Sequence, residues 1–478
     1  MKLIFDVSDK PKAGQLVVFA LQQMLAILAA TIAVPLIIGN GLTPAAAMFG
    51  AGVGTIVYIL FTKRKSPVFL GSSFAFLGSM AAAFAGGVSM QLGMLGLIIG
   101  ALLAGLVYVV IAIVVKFVGV GWLNKLMPAV VIGPTVAIIG LSLAGNAIGD
   151  LLKGDVTKQV TEYVVSTDSG TPEIIENVSN VPVGSSYVAL ICGLITLAVV
   201  MLCSAYGKKT LRLIPFIIGI LAGYAAAAIF TVIGNICDID ALKIVDLSVF
   251  SSYMLTDGSI SLKTFVSLPD FSFVSGLKGL KEFDFSYFAT IFVAYVPVAL
   301  VVFAEHVADH KNLSSIIDHD LLEEPGLTRT LLGDGVGSIA GALFGGCPNT
   351  TYGESVACVA ITGNASVITI FAAAIGCMLF SFITPLVAFV DSIPACVMGG
   401  VCIALYGFIA VSGLKMIQDV NLDDNRNLFV VSVILIAGIG GLTLTFGDIT
   451  LTEVAAALIL GILTNVMLSK KKGNAAKK

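Results

Sequence analysis

The sequence predicts an all-α polytopic membrane protein of about 14 transmembrane segments, arranged as 7+7 inverted repeats. Three observations carry this: a composition too apolar for water, a succession of apolar runs of spanning length, and Lys and Arg gathered in alternate connections. Of 478 residues, 58% are hydrophobic and 12% charged, with a mean hydropathy of +1.03. A soluble domain carries roughly 25% charge, and surface-to-volume scaling leaves too little interior to hide this much apolar surface. The 51 glycines suit close helix packing in a bilayer. Most of the eight Cys lie inside apolar runs, and none shows a Cys-x-x-Cys spacing. They read as small buried hydrophobes, not as disulfide or zinc ligands. The net charge of −3 says nothing about partners.

The runs follow in order at about 15–39, 44–62, 67–85, 91–118, 124–148, 185–206, 212–236, 286–309, 328–345, 349–363, 366–390, 394–414, 427–446 and 451–469. Helix is the default for each, because backbone in hydrocarbon must satisfy its own hydrogen bonds. The first run is too long for a signal peptide's apolar region and has no small-residue cleavage site, so it is expected to stay as a span. Two stretches fit a plain helix poorly. Ser66–Phe76 starts with Pro67 and breaks at Gly71-Ser72-Ser73, and Gly345–Glu354 is polar and rich in Gly with Pro348. Each reads as a short extended piece feeding a half-helix, tolerated at membrane depth only beside protein or a wet cavity. They fall in about the third and tenth spans. Paired interruptions in two halves point to a midplane binding site. A spacing of seven is odd, so the second half enters from the opposite side.

Charge placement agrees. Lys2, Lys10 and Lys12 precede the first run, Lys63-Arg64-Lys65 follow the second, and Lys208, Lys209 and Arg212 join the sixth and seventh. Lys311, Arg329, Lys415, Arg426 and Lys470-Lys471-Lys472 fall on the same side if the count is fourteen. The positive-inside rule then makes both termini cytoplasmic in a multi-pass plasma (bacterial inner) membrane protein. The long connections 149–184 and 237–285 lie outside, and their alternating residues suggest small hairpins.

Ionisable residues inside the membrane are functional candidates by default. Glu305, His306 and Asp309 close an apolar run, Glu354 follows the second break, and Glu453 opens the last span at the interface. Glu305 and Asp309 are four apart and share a helix face. In a poorly hydrated site the two are expected to hold one proton between them, which is what proton coupling needs. For Asp309 the competing reading is a solvated residue at the helix end. His306 points about 100° away and is read as packing elsewhere, while His310 and His319 are read as solvated among charged neighbours. If a half-helix starts near Tyr352-Gly353, its free N–H groups and positive dipole end face the cavity. Glu354 then accepts from N–H donors of a ligand while backbone N–H groups meet its carbonyl oxygens, an arrangement that suits a planar imide. Phe74 is placed to stack on such a ring or wall it in. No P-loop, dinucleotide-binding, His-Glu-x-x-His or nucleophile-elbow motif is present, so an enzyme is not expected. No cofactor is called for, and the driving energy is read as an ion gradient.

At these residues the chain resembles the nucleobase–ascorbate transporter family, in its uracil permease branch. The matching pieces are Gly71-Ser72-Ser73-Phe74-Ala75-Phe76, Ala304-Glu305-His306-Val307, Pro325-Gly326-Leu327, Pro348-Asn349-Thr350-Thr351-Tyr352-Gly353-Glu354, and Val397-Met398-Gly399-Gly400 with Tyr406-Gly407. The resemblance implies fourteen spans in two inverted repeats, with short strands in broken segments 3 and 10. It implies a core domain (1–120 and 286–390) and a gate domain (121–240 and 391–469), with an extracellular loop at 241–285 and a cytoplasmic tail at 470–478. It assigns Glu305 and Glu354 as carboxylates holding a pyrimidine, with Phe74, Tyr352 and Gly353 lining it. Proton coupling falls to Glu305, Asp309 and Glu354. It further implies a homodimer in the lipid bilayer and no nucleic-acid partner. Where the family pattern has Asn and then Gly after the acid, this chain has Ser355 and Ala357, and Gln22-Gln23 stands for the usual Gln-His. In the best-known uracil permease a His stands where this chain has Asp309. The function expected is uracil–proton symport. The alternatives are a purine or xanthine symporter of the same fold, which tends to carry Gln at position 354, and an anion exchanger on a related fold, which two acids disfavour.

Overall fold

A computed structural model of the chain describes residues 3–119, 128–166, 173–208, 210–254, 259–418, 420–446 and 449–468. The tail expected at 470–478 lies outside the described residues. The chain is mostly helical. Its elements are α1 (Ala13–Ile38), α2 (Pro44–Phe61), β1 (Leu70–Ser72), α3 (Leu77–Ala83), α4 (Met90–Val118), α5 (Ala129–Ser142) and α6 (Ala144–Leu151), then β2 (Thr157–Ser166), β3 (Glu173–Pro182), α7 (Ser186–Tyr206) and α8 (Pro215–Cys237). There follow α9 (Ser272–Gly279), α10 (Phe285–Ile317), α11 (Leu327–Gly345), β4 (Asn349–Thr351), α12 (Gly353–Thr362), α13 (Val367–Phe380), α14 (Thr384–Asp391), α15 (Ala395–Met416), α16 (Asn425–Ile439), β5 (Leu444–Phe446), β6 (Ile449–Leu451) and α17 (Glu453–Leu468). Among the described residues, eight helices are long and apolar enough to cross a membrane. Shorter apolar helices accompany them, including Gly353–Thr362 and Val367–Phe380.

Local chemistry starts these helices where they start. Thr43 accepts from Ala46 N at 3.2 Å, and Pro44 takes the first position of α2, where its missing N–H costs nothing. Ser89 caps α4 through Leu92 N at 3.1 Å, and Asp284 caps α10 through Tyr287 N at 2.7 Å. On α4, Leu102, Leu106, Val110, Ile113 and Phe117 line one stripe and are all exposed. A stripe of that size facing water would aggregate, whereas facing lipid it is at home.

Contacts divide the chain into two compact units. The first comprises Met1–Leu143, Phe265–Val387 and Leu405–Lys478. Within it α2 and α11 meet backbone to backbone. A Cβ on Gly50 would lie 2.4 Å from Gly341 O, and one on Gly54 would lie 2.8 Å from Gly337 O. Only glycine permits that approach, which brings the two elements flanking the breaks together. The breaks themselves then pair. β1 runs antiparallel to β4 with Leu70 opposite Thr351, Gly71 opposite Thr350 and Ser72 opposite Asn349. This ladder satisfies backbone that no helix serves. The Asn349 side chain donates to Gly50 O at 3.1 Å, and Thr55 Oγ1 accepts from Leu70 N at 2.9 Å, fixing both strands to α2.

The second unit comprises Ala144–Thr264 and Ala388–Ala404. In it α7 and α8 pack through Gly219 and Gly223 against Val200 and Thr196. The β2–β3 hairpin pairs Thr157 with Pro182 through Ser166 with Glu173, a hairpin in the first long connection as the alternation suggested. Asp155 ends the approach to it and accepts from Ala395 N at 3.1 Å.

Candidate functional site

Both breaks end in helix starts that face one small cavity within the first unit. After β1 the chain makes a single 3₁₀ turn, Phe74–Phe76, then α3; after β4 it passes Tyr352 into α12. The cavity is bordered by Phe74, Ala75, Ile139, Glu305, Thr350, Thr351, Tyr352, Gly353, Glu354 and Ile409. Thus the structure brings together Phe74, Glu305, Tyr352, Gly353 and Glu354, five residues expected from widely separated stretches. Water-sized space inside is about 40 Å³, room for a few waters at most. A pyrimidine ring enters only if the walls part.

Each wall has its own support. The Tyr352 hydroxyl donates to Ser72 O at 2.8 Å and its N–H to Phe69 O at 3.3 Å, so Tyr352 ties β1 to the start of α12. The Phe74 ring meets Tyr406 edge-on, with centroids 5.9 Å apart. Gly353 is open to the cavity. The first turn of α12 carries N–H groups without intrahelical partners, beside a dipole end that favours negative charge. Glu354 sits in that first turn. Glu305 projects from the middle of α10, within electrostatic reach of Asp309, Glu354 and Asp334. Asp309 lies one turn further along α10, its Oδ2 accepting from Thr351 Oγ1 at 2.7 Å. Asp309 is therefore held against β4 beside the pocket rather than solvated at a helix end, because α10 continues to Ile317.

His306 packs elsewhere, as its 100° offset suggests. Its Nδ1 is 2.7 Å from Asp334 Oδ2 and its Nε2 is 3.0 Å from Thr330 Oγ1. The solvated reading of His310 is corrected. The residue is fully buried, with Nδ1 donating to His306 O at 2.7 Å and Nε2 2.6 Å from the Tyr58 hydroxyl. The charged residues around it in sequence lie on other faces of a helix still in full register. His319 is half-exposed, with Nε2 donating to Glu324 O at 3.1 Å. Nearby, Lys65 pairs with Glu324 and holds that carboxyl below the usual range through their hydrogen bond.

Three contributors escaped the sequence reading. Gln23 on α1 is buried, and its Nε2 donates to Ser355 Oγ at 2.5 Å, while Phe69 N donates to the same oxygen at 3.1 Å. Gln23 and Ser355, visible in the sequence only as departures from the family pattern, thus bond to each other. Asp334 was also missed. It lies between Gly333 and Gly335 in a helix whose Thr, Arg and Gly content lowers its hydropathy. An acid flanked by packing glycines was the one available signal.

Residues 14–446 match the family model described as Permease family, that of the xanthine and uracil permeases. Curated relatives include a uracil permease of Bacillus caldolyticus, 36% identical over 98% of this chain and 95% of its own length. A uracil permease of Escherichia coli K12 is 33% identical over 95% of this chain and 92% of its own. Among solved structures, the transmembrane domain of the cyanobacterial bicarbonate transporter BicA aligns with a TM-score of 0.57 at 13% identity, over 96% of this chain and 99% of that one. The murine anion transporter Slc26a9 in its inward-facing state gives 0.59 at 11% identity, over 96% and 69%. At such identities these two speak for the fold alone. The family model and the full-length relatives, agreeing with a pocket built from both breaks, make this chain a member of the permease family of nucleobase–ascorbate transporters.

Proposed function

We propose that the chain imports uracil with protons across the plasma membrane. One observation carries this most: two acids, Glu305 and Glu354, flank a cavity that also presents the free N–H end of α12 and the Phe74 ring. A pyrimidine dione alternates N–H and C=O around a flat ring. The carboxylates accept from its N–H groups, backbone N–H groups of Gly353 and Glu354 donate to a carbonyl, and Phe74 covers a face. The full-length uracil permease relatives support that substrate over others. A purine or xanthine symporter remains the alternative to be tested. Crowded carboxylates do not all ionise together, so Glu305, Asp309 and Glu354 share at least one proton. Ligand N–H groups then compete for the same acceptors, which links binding to protonation.

The same reading includes fourteen segments in 7+7 inverted repeats, both termini cytoplasmic, a core moving against a gate, and a homodimer. The eight long helices, the shorter apolar ones and α11 support the count. The antiparallel pairing of β1 with β4 supports halves of opposite sense. Radiolabelled uracil uptake in permease-null cells tests the proposal. Accumulation should be abolished by an uncoupler and weakly affected by excess xanthine. Uptake indifferent to the uncoupler removes the proton coupling, and strong competition by xanthine transfers the chain to the purine alternative.

A further inference from the structure

The half-helix that carries Glu354 is held at both ends by one stretch of chain. α12 has 10 residues, a rod of about 15 Å, so a shift at its last turn is felt at its first. At its start, Gln23 of α1 donates to Ser355 Oγ. At its end stand residues 3–9, the segment that leads into α1. The last carbonyls of a helix lack intrahelical donors, and here Ile4 N and Phe5 N both donate to Gly363 O, at 2.7 and 3.2 Å. Ala365 N donates to Phe5 O at 2.9 Å, Val367 N to Val7 O at 3.2 Å, and the buried Ser366 hydroxyl to Asp9 O at 2.6 Å. These bonds strap residues 4–9 across the turn between α12 and α13. The Phe5 ring meets Phe19 of α1 edge-on, with centroids 5.9 Å apart, which ties the strap to the helix that follows it.

Side chains alternate along the strap. Leu3, Phe5 and Val7 are partly buried, while Ile4, Asp6 and Ser8 are exposed, the period of an extended chain. Leu3 and Val7 pack on an apolar plug that includes Leu70 of β1, Leu313 and Ile317 of α10, and Val356 and Val359 of α12. These three elements carry the pocket: Phe74 follows β1, Glu305 lies on α10 and Glu354 opens α12. The plug is where they meet away from the cavity, and the strap closes over it. Backbone bonds fix where α12 ends, and the apolar contact presses it toward α10.

We propose that residues 3–9 are a positioning strap for substrate binding, holding α12 against α10 so that Glu354 and the free N–H groups stand at the separation from Glu305 that the ligand needs. None of these residues touches substrate. With the strap displaced, α12 keeps its ties to Tyr352 and Gln23, but its far end is loose and the aligned arrangement becomes one of several. Apparent affinity then falls in proportion to the fraction that stays aligned. Saturating ligand draws the population back to alignment, so the maximal rate is retained while KM rises. The proposal rests on the pocket reading above.

The test uses the full-length protein in liposomes, read for uracil–uracil exchange, with melting temperature alongside. Val7→Asp sets a carboxylate against the plug, and Val7→Ile keeps the apolar contact. Val7→Asp should raise the KM for exchange roughly tenfold, with the maximal rate within about twofold of the parent. Val7→Ile should keep the parental KM. Deleting residues 3–9 leaves Lys2, Lys10 and Lys12 in place and with them the orientation signal. The deletion should act as Val7→Asp does, and it carries the test should Val7→Asp fail to insert. A parental KM in either inserted variant, whatever its melting temperature, overturns the proposal, because a brace that only stabilises the fold would give that result. A lowered maximal rate at parental KM overturns it too. A parental protein that exchanges no uracil overturns the pocket reading itself, a result distinct from the variants' outcome.

Discussion

Replacing Gly71 with Ala tests the pocket through its wall rather than through its acids. Gly71 lies in β1 under the Tyr352 ring. A Cβ there would sit 2.3 Å from Cε2, 2.4 Å from Cζ and 2.8 Å from the hydroxyl of Tyr352. Carbon atoms in contact rest about 3.5–4.0 Å apart, so the ring must retreat by about 1 Å. That movement strains the hydroxyl's 2.8 Å bond to Ser72 O, a loss of about 0.5–1.5 kcal/mol. Overpacking adds roughly 1–3 kcal/mol. Tyr352 also precedes the first turn of α12, so the donors and Glu354 shift with it. If about 2 kcal/mol appears in binding, uracil affinity drops roughly 30-fold. Gly14→Ala is the matched control, because a Cβ there meets nothing within 4 Å. Binding of labelled uracil to detergent-purified protein, with melting temperature and gel-filtration profile alongside, makes the measurement. Affinity within about twofold of the parent at an unchanged melting temperature would refute the claim that Tyr352 is held where the ligand needs it.

The remaining predictions concern the charged groups. Glu305→Ala should insert and fold yet lose uracil binding, since a charged acceptor contributes about 1.5–3 kcal/mol; near-normal affinity in equilibrium binding counts against its assignment. Glu354→Gln sets an amide donor against a ligand N–H and should weaken uracil roughly 10- to 100-fold, and a parental xanthine transport that is lost in this variant would favour the purine alternative. Burial pushes the Asp155 carboxyl up to about 6, with Asp246 and Asp150 adding to it and the Ala395 N–H opposing. Its folded value lies above the unfolded 3.8, so its contribution is fully present below about pH 4 and fades as pH rises through 6. Asp155→Asn should therefore raise the unfolding free energy at pH 7.5, by at most roughly 1–3 kcal/mol. The gain should vanish below pH 4; a pH-independent difference in thermal scans contradicts this.

Sequence reading picked out residues that line one cavity because the interruptions are chemically loud. Pro67 with Gly71-Ser72-Ser73, and Pro348 with Gly353, break apolar runs that otherwise favour helix, and Glu305 and Glu354 stand out against hydrocarbon. Residues joined only by folding were silent. Gln23 and Ser355 look like departures from a pattern, and their 2.5 Å bond appears only when α1 meets α12. His310 was misread because Asp309 and Lys311 on either side resemble a loop, yet a helix turns neighbours to different faces. Asp334 hid in a segment whose glycines exist to bring α11 against α2 and α4. Hydropathy averages over a window and cannot separate an acid facing water from one facing a histidine.

The Tyr352 hydroxyl bonds to Ser72 O across 280 residues of chain. At about 5–20 residues per second, a ribosome needs on the order of 14–56 s to deliver β4 after β1. For that time Leu70–Ser72 waits with its ladder groups unmet, in a place where hydrocarbon offers them nothing. The early spans must shelter that stretch in the insertion machinery or in trapped water. Their partnering is therefore a late, post-insertion event, and the cavity comes into being only when β4 and α12 arrive.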